Sequence, residues 1–118
     1  MDAPQVFNRP FSWDFVLQIV ENRLGMWVGR PTYERAVALI VGFDMAQAET
    51  IHDRMQARIR ERHGTGPLGW EWVLMAAALG RDVHAPGDLG PLTAEEDDVA
   101  VRVLVAELRE VLAIAGEG

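Results

Sequence analysis

Residues 23–46, RLGMWVGRPTYERAVALIVGFDMA, pose the choice that decides the fold. Gly25 and Gly29 bracket Met26, Trp27 and Val28, and a dense apolar run follows. Read as extended backbone, residues 26–28 are a very short strand that must pair with another short segment, giving an α+β fold. Read as a connection between helices, they leave an all-α protein. The segment is too short and too interrupted for more than a single strand-like piece. The expectation is therefore all-α, one compact bundle of four to five helices over residues 1–118, with α+β as the alternative.

Downstream of the bracket, Pro31 and Thr32 suit a helix start. Tyr33, Ala36, Val37, Ile40 and Phe43 then recur at helical spacing on one face, widened by Leu39 and Val41, which predicts a central helix. Upstream, Ser12 offers an N-cap for a helix reaching about Arg23, with Phe15, Val16, Ile19 and Val20 as its apolar stripe. Gly25 is placed to end that helix in the left-handed conformation. Residues 1–10, with Pro4 and Pro10, read as an extended leader.

Asp44 and Gln47 have capping-box spacing, so a break is expected between Asp44 and Ala48. A third helix over about 48–63 follows, with a narrow stripe of Ala48, Ile51, Met55 and Ile59, and stops at the loop HGTGPLG. WEWVLMAAALG predicts a fourth helix ending at Gly80, and residues 80–92 are a loop by composition. Thr93 and Glu96 form a capping box, and Glu95, Glu96, Asp97 and Asp98 occupy the first turn, where the helix dipole favours negative charge. This last helix, about 94–115, carries Val101, Leu104, Val105, Leu108, Val111 and Leu112 on one side and Val99, Val103, Ala106 and Ile114 on much of the other. A helix apolar nearly all round is interior or at a subunit contact, so a homodimer is expected.

Composition closes several functional classes. The chain has 118 residues, 49% of them apolar, enough for one core. Its net charge of −7 disfavours nucleic acid and anionic membranes, whose affinity is drawn from clustered Arg and Lys. All 11 basic residues are Arg, so Schiff-base chemistry and a phosphate-loop lysine are excluded. Without Cys there are no disulfides, thiolate nucleophiles or Cys-ligated zinc. The start MDAPQVFNRPFSWDF contains no long uncharged apolar run, so neither a signal peptide nor a membrane span is expected, and the plain location is the cytoplasm.

Few residues carry a chemical pattern. Glu49 and His52 have the Glu-x-x-His spacing that puts two metal ligands on one helix face, but a di-metal site needs a second copy, which His63 and His84 do not supply. His52 also sits at the edge of the Ala48, Met55 and Ile59 stripe and reads as a boundary histidine. Asp44 falls on a face expected to be buried, where it reads as a cap before a functional carboxylate. The acidic run 95–98 starts a helix and reads as dipole capping before cation binding. Arg54, Arg58, Arg60 and Arg62 interleave with Asp53 and Glu61 and read as a solvated face. Ser12 is the lone serine and sits at a cap, so no nucleophile elbow exists. No cofactor is expected.

The tryptophans, at 13, 27, 70 and 72, serve core or interface. Trp70 and Trp72 are about 200° apart on a helix, so one of them lies near the surface. Trp27 either plugs the end of the helix packing or anchors a partner, and the plug is the structural expectation.

The opening stretch resembles a pattern of small uncharacterised bacterial proteins, Arg-Pro-Gly-Met-Tyr-Leu-Gly followed by a helix and a Gly-Tyr or Gly-Phe pair. The matches are Arg23, Gly25, Met26, Gly29, Gly42 and Phe43, with Leu24 in place of the proline and Trp27 in place of the tyrosine. GPLGWEWVLM and EEDDVAVRVLVAELREVL are similar to later parts of the same pattern. The resemblance implies a binding protein of the immunity or antitoxin type, one that neutralises a toxin, and names no site. The functional expectation is thus a non-catalytic cytoplasmic protein-binding domain whose partner surface includes Arg23, Met26, Trp27 and Arg30. The alternative is a small metal-dependent protein or enzyme using Glu49 and His52 with a carboxylate such as Asp44.

Overall fold

The computed structural model describes residues 12–47, 51–64, 68–81 and 91–117. The expected leader at 1–10, together with Ala48, Glu49 and His84, lies outside them. Among the described residues the chain is all-α, with six helices and no strand: α1 Trp13–Asn22, α2 Leu24–Val28, α3 Tyr33–Ala46, α4 Ile51–His63, α5 Trp70–Ala78 and α6 Ala94–Glu117.

The additional helix is the bracketed segment itself. Residues 26–28 are not a strand, and Gly25 does not take the left-handed conformation. Arg23, at φ −139°, interrupts α1, and a new turn begins at once, closed by the Gly29 N–H donating to the Gly25 carbonyl at 3.0 Å. A lone strand would have left its N–H and C=O groups waiting for a sheet partner, whereas a helical turn satisfies them locally. The left-handed residue is Gly29, at φ 88°. A side chain there would also bring a Cβ to 2.6 Å from Arg35 Nη1, because the Arg35 guanidinium donates to the Val28 carbonyl that ends α2.

The expected caps at Ser12 and Thr93 are present. Ser12 Oγ accepts the Phe15 N–H at 3.1 Å, and Thr93 and Glu96 exchange two bonds of 2.9 and 3.1 Å in a complete capping box. Thr32 Oγ1 accepts the Arg35 N–H at 3.2 Å and opens α3. Gly80, at φ 68°, ends α5, with the Arg81 N–H returning to the Ala76 carbonyl at 2.8 Å as in a Schellman motif. The α3–α4 break falls where expected, but for a different reason. Asp44 remains within α3, and its carboxylate reaches the next helix, accepting the Ile51 and His52 N–H groups at 3.1 Å each.

The axis of the bundle is α6, which packs on α1, α3, α4 and α5. Ala100, Leu104 and Leu108 are completely enclosed, as are Met55 and Ile59 of α4 across from them. The second expected centre, α3, packs on α2, α4 and α6 with Tyr33, Ala36 and Ile40, while its outer side stays in solvent. The tryptophans divide as their spacing requires. Trp70 is buried and Trp72 exposed, while Trp13 lies edge-on to Phe43 with ring centroids 4.8 Å apart. No helix among the described residues is long and apolar enough to cross a membrane.

Candidate functional site

The four residues expected to meet a partner stand at the α1–α2–α3 corner, and all four are exposed. Met26 is 81% exposed and Trp27 52%. The plug reading of Trp27 is therefore corrected: Leu24 occupies the core side of α2. On this turn Met26 lies about 200° from the inward Leu24 and faces solvent, while Trp27, about 60° from Leu24, sits at the edge of the core side and stays half exposed beside Phe15 of α1.

Trp27 is joined by Phe15 of α1, whose ring meets it edge-to-face at 6.3 Å. Phe15 was expected in the core stripe of α1. That stripe instead consists of Val16, Leu17, Ile19 and Val20, which places Phe15 at its outer margin. The neighbouring Leu17 was the available signal, since it completes the stripe without Phe15.

A groove of about 740 Å³ runs between the α1–α2 corner and the first half of α6, with Met26 in its wall. Leu24, Met26, Pro31, Val101 and Val105 supply its apolar surface, and Arg23 lies on its border. Two ion pairs frame it, Arg102 with Asp98 at 2.8 Å and Arg109 with Glu21 at 2.9 Å. Arg30 is exposed but does not line the groove. The lining includes no His, Ser, Thr or Tyr among the described residues, and both of its carboxylates are held by guanidinium groups. A trough with an apolar floor, a charged rim and the exposed Met26 in its wall is suited to recognition.

Most of the remaining sequence candidates among the described residues have structural partners. His52 Nδ1 accepts the Trp70 indole N–H at 2.9 Å, so that nitrogen is occupied in holding a buried tryptophan. Glu49, its expected companion, lies outside the described residues. No group of three or more His, Cys, Asp or Glu side chains among the described residues is gathered to hold a metal ion. Asp44 is the cap of α4, as set out above. In the acidic run, Asp97 is buried and accepts the Tyr33 N–H at 2.8 Å, Glu96 pairs with Arg81 at 2.6 Å, and Asp98 pairs with Arg102.

The arginine face of α4 is not simply solvated. Arg58 donates through Nε to Glu107 at 2.7 Å and through a second nitrogen to Glu110, and Arg62 also meets Glu107. Burial pushes the Glu107 carboxyl up, but hydrogen bonds and charge from Arg58 and Arg62 outweigh it and hold the group below its usual range. The sequence offered no sign of this cluster, because its paired arginines and glutamates are 45 or more positions apart. A scan against protein-family models found no match to this chain, and neither did comparisons with curated proteins and with solved structures.

Proposed function

We propose that the protein is a non-catalytic, cytoplasmic protein-binding domain of the immunity type, which neutralises a toxin by covering part of its surface. The observation that supports this reading is the exposed Met26–Trp27 turn, with Trp27 edge-to-face on Phe15 and Met26 lining the α2–α6 groove. Large apolar side chains gathered at a surface are a cost to a monomer in water and an anchor to a complex. Arg23 and Arg30 flank that anchor with donors, while the net charge of −7 favours a basic or neutral partner surface.

The test uses the product of the gene adjacent to this one, purified separately. Calorimetry should give a saturable one-to-one complex, and co-expression should relieve any toxicity of that product. Trp27→Ala should weaken the complex by about 2 kcal/mol or more, the range of an interface hot spot. Absence of binding, or binding that is insensitive to Trp27→Ala and Met26→Ala alike, would sink the proposal.

A further inference from the structure

A second cavity, of about 310 Å³, opens between α3 and α5 on a different part of the surface from the α2–α6 groove. It falls at the small end of the range for small-molecule pockets, about 300–1,000 Å³. Val37, Met75 and Leu92 give it an apolar lining, and the half-exposed Trp72 indole forms part of its border.

Its polar lining is one-sided. Its acidic lining residues are Glu34 and Glu71, and the Glu71 carboxylate is folded back toward Gly69 at the start of α5. The Tyr33 hydroxyl donates its proton to the Glu71 carbonyl at 2.7 Å, so its oxygen has only lone pairs left to offer. Burial first, and then the negative charge of Glu71, push the Tyr33 phenol above its usual range, so the hydroxyl stays neutral and committed to that carbonyl. No Arg, Lys or His lines the cavity among the described residues. An anion would meet two like charges here, and a neutral acceptor would find only the indole N–H. A cation finds two acidic residues and a tryptophan on the lining, the residue types that recognise ammonium groups.

We infer that this cavity binds a small primary amine on an apolar stem, its ammonium held by Glu34, Glu71 and the face of Trp72 and its stem on Val37, Met75 and Leu92. This site is independent of the partner surface at α2, and its failure would leave that reading untouched.

The probe is 2-phenylethylammonium chloride, compared at pH 7 with 2-phenylethanol, which has the same shape without the charge. Binding is followed by the NMR shift of the Trp72 indole N–H. The amine should move that signal saturably, and the alcohol should bind about tenfold more weakly or less. In Glu34→Gln/Glu71→Gln the amine should lose about tenfold in affinity while the alcohol is unchanged. Should the double variant fail to fold, Glu34→Gln alone, at an exposed first-turn position, should give a loss of about threefold. Equal binding of amine and alcohol, no saturable shift with the amine, or an amine affinity untouched by the glutamine substitutions would each overturn the inference.

Discussion

Asp97 and Tyr33 stand 64 positions apart, yet the buried Asp97 carboxylate accepts the Tyr33 backbone N–H at 2.8 Å. A carboxylate in the first turn of α6 thereby closes the first turn of α3. The acidic run at 95–98 thus serves two helix N-termini, its own and that of a neighbour, and locks the axial helix to the segment that follows the Met26–Trp27 turn.

From that bond, Asp97→Ala should cost about 1–3 kcal/mol of folding free energy, because a buried backbone N–H loses its charged acceptor. Glu95→Ala, at an exposed position of the same turn, should stay within about 0.5 kcal/mol. Urea denaturation of the two variants measures both. Equal losses would show that only the general negative charge of the turn matters, and the specific bond would have to be given up.

Two tryptophans provide the next contrast. Trp70 is 1% exposed and packed in the core, and its truncation to Ala should cost about 3–5 kcal/mol. Trp27 is half exposed, and Trp27→Ala should cost no more than the edge-to-face contact with Phe15, about 0.5–1.5 kcal/mol. Parallel urea curves decide this, and a Trp27→Ala loss as large as that of Trp70→Ala would return Trp27 to the role of a core plug.

Acid should weaken the fold through Glu107 and Glu96. Glu107 is lowered on balance by Arg58 and Arg62 against the opposing effect of burial. Glu96 is lowered chiefly by the Thr93 backbone bond of its capping box, with Arg81 adding to it. A carboxyl group whose folded pKa lies below its unfolded one contributes stability that is fully present above the unfolded value and disappears as pH falls through the folded value. Urea midpoints should therefore hold steady near neutrality and fall once pH drops below the usual glutamate range. Glu107→Gln should start lower at pH 7, by about 1–2 kcal/mol, and fall less steeply in acid. An acid limb of the same slope in Glu107→Gln and the parent chain would remove Glu107 from the account.

What was legible in the sequence was whatever depends on near neighbours. The Ser12 cap, the Thr93–Glu96 box, the Gly80 stop and the α6 stripe follow from spacings of a few residues, and the structure has them. The readings that failed needed knowledge of what lies across the core. Gly25 and Gly29 are equally able to take a left-handed turn, and only the approach of Arg35 to Val28 selects Gly29. Asp44 looked like a local cap because its true partners, the N–H groups of Ile51 and His52, lie beyond the break. The candidate surface was half legible: Arg23, Met26, Trp27 and Arg30 were named as partner-facing and all are exposed, but Trp27 was expected to plug the core, and the contribution of Phe15 and of α6 depends on how α1 and α6 pack. The Arg58–Glu107 cluster and the Tyr33–Trp72 cavity join distant segments and leave no local trace.

The last prediction concerns the outer side of α6. Val99 is 43% exposed and Ile114 55%, so the second apolar side of this helix is only partly covered by the bundle. Ile114 and Val111 border a shallow hollow shared with Ala57, Arg54, Arg58 and Glu61 of α4. A two-fold contact through this region would cover Ile114 on both copies at once, since an isologous interface presents the same patch twice. Light scattering at micromolar concentration should then give the mass of two chains. Ile114→Arg should give one chain with an unchanged melting temperature, because the substituted side chain is not part of the core. A single-chain mass for the unmodified protein would rule out the dimer at that concentration, and a two-chain mass that survives Ile114→Arg would move the contact elsewhere.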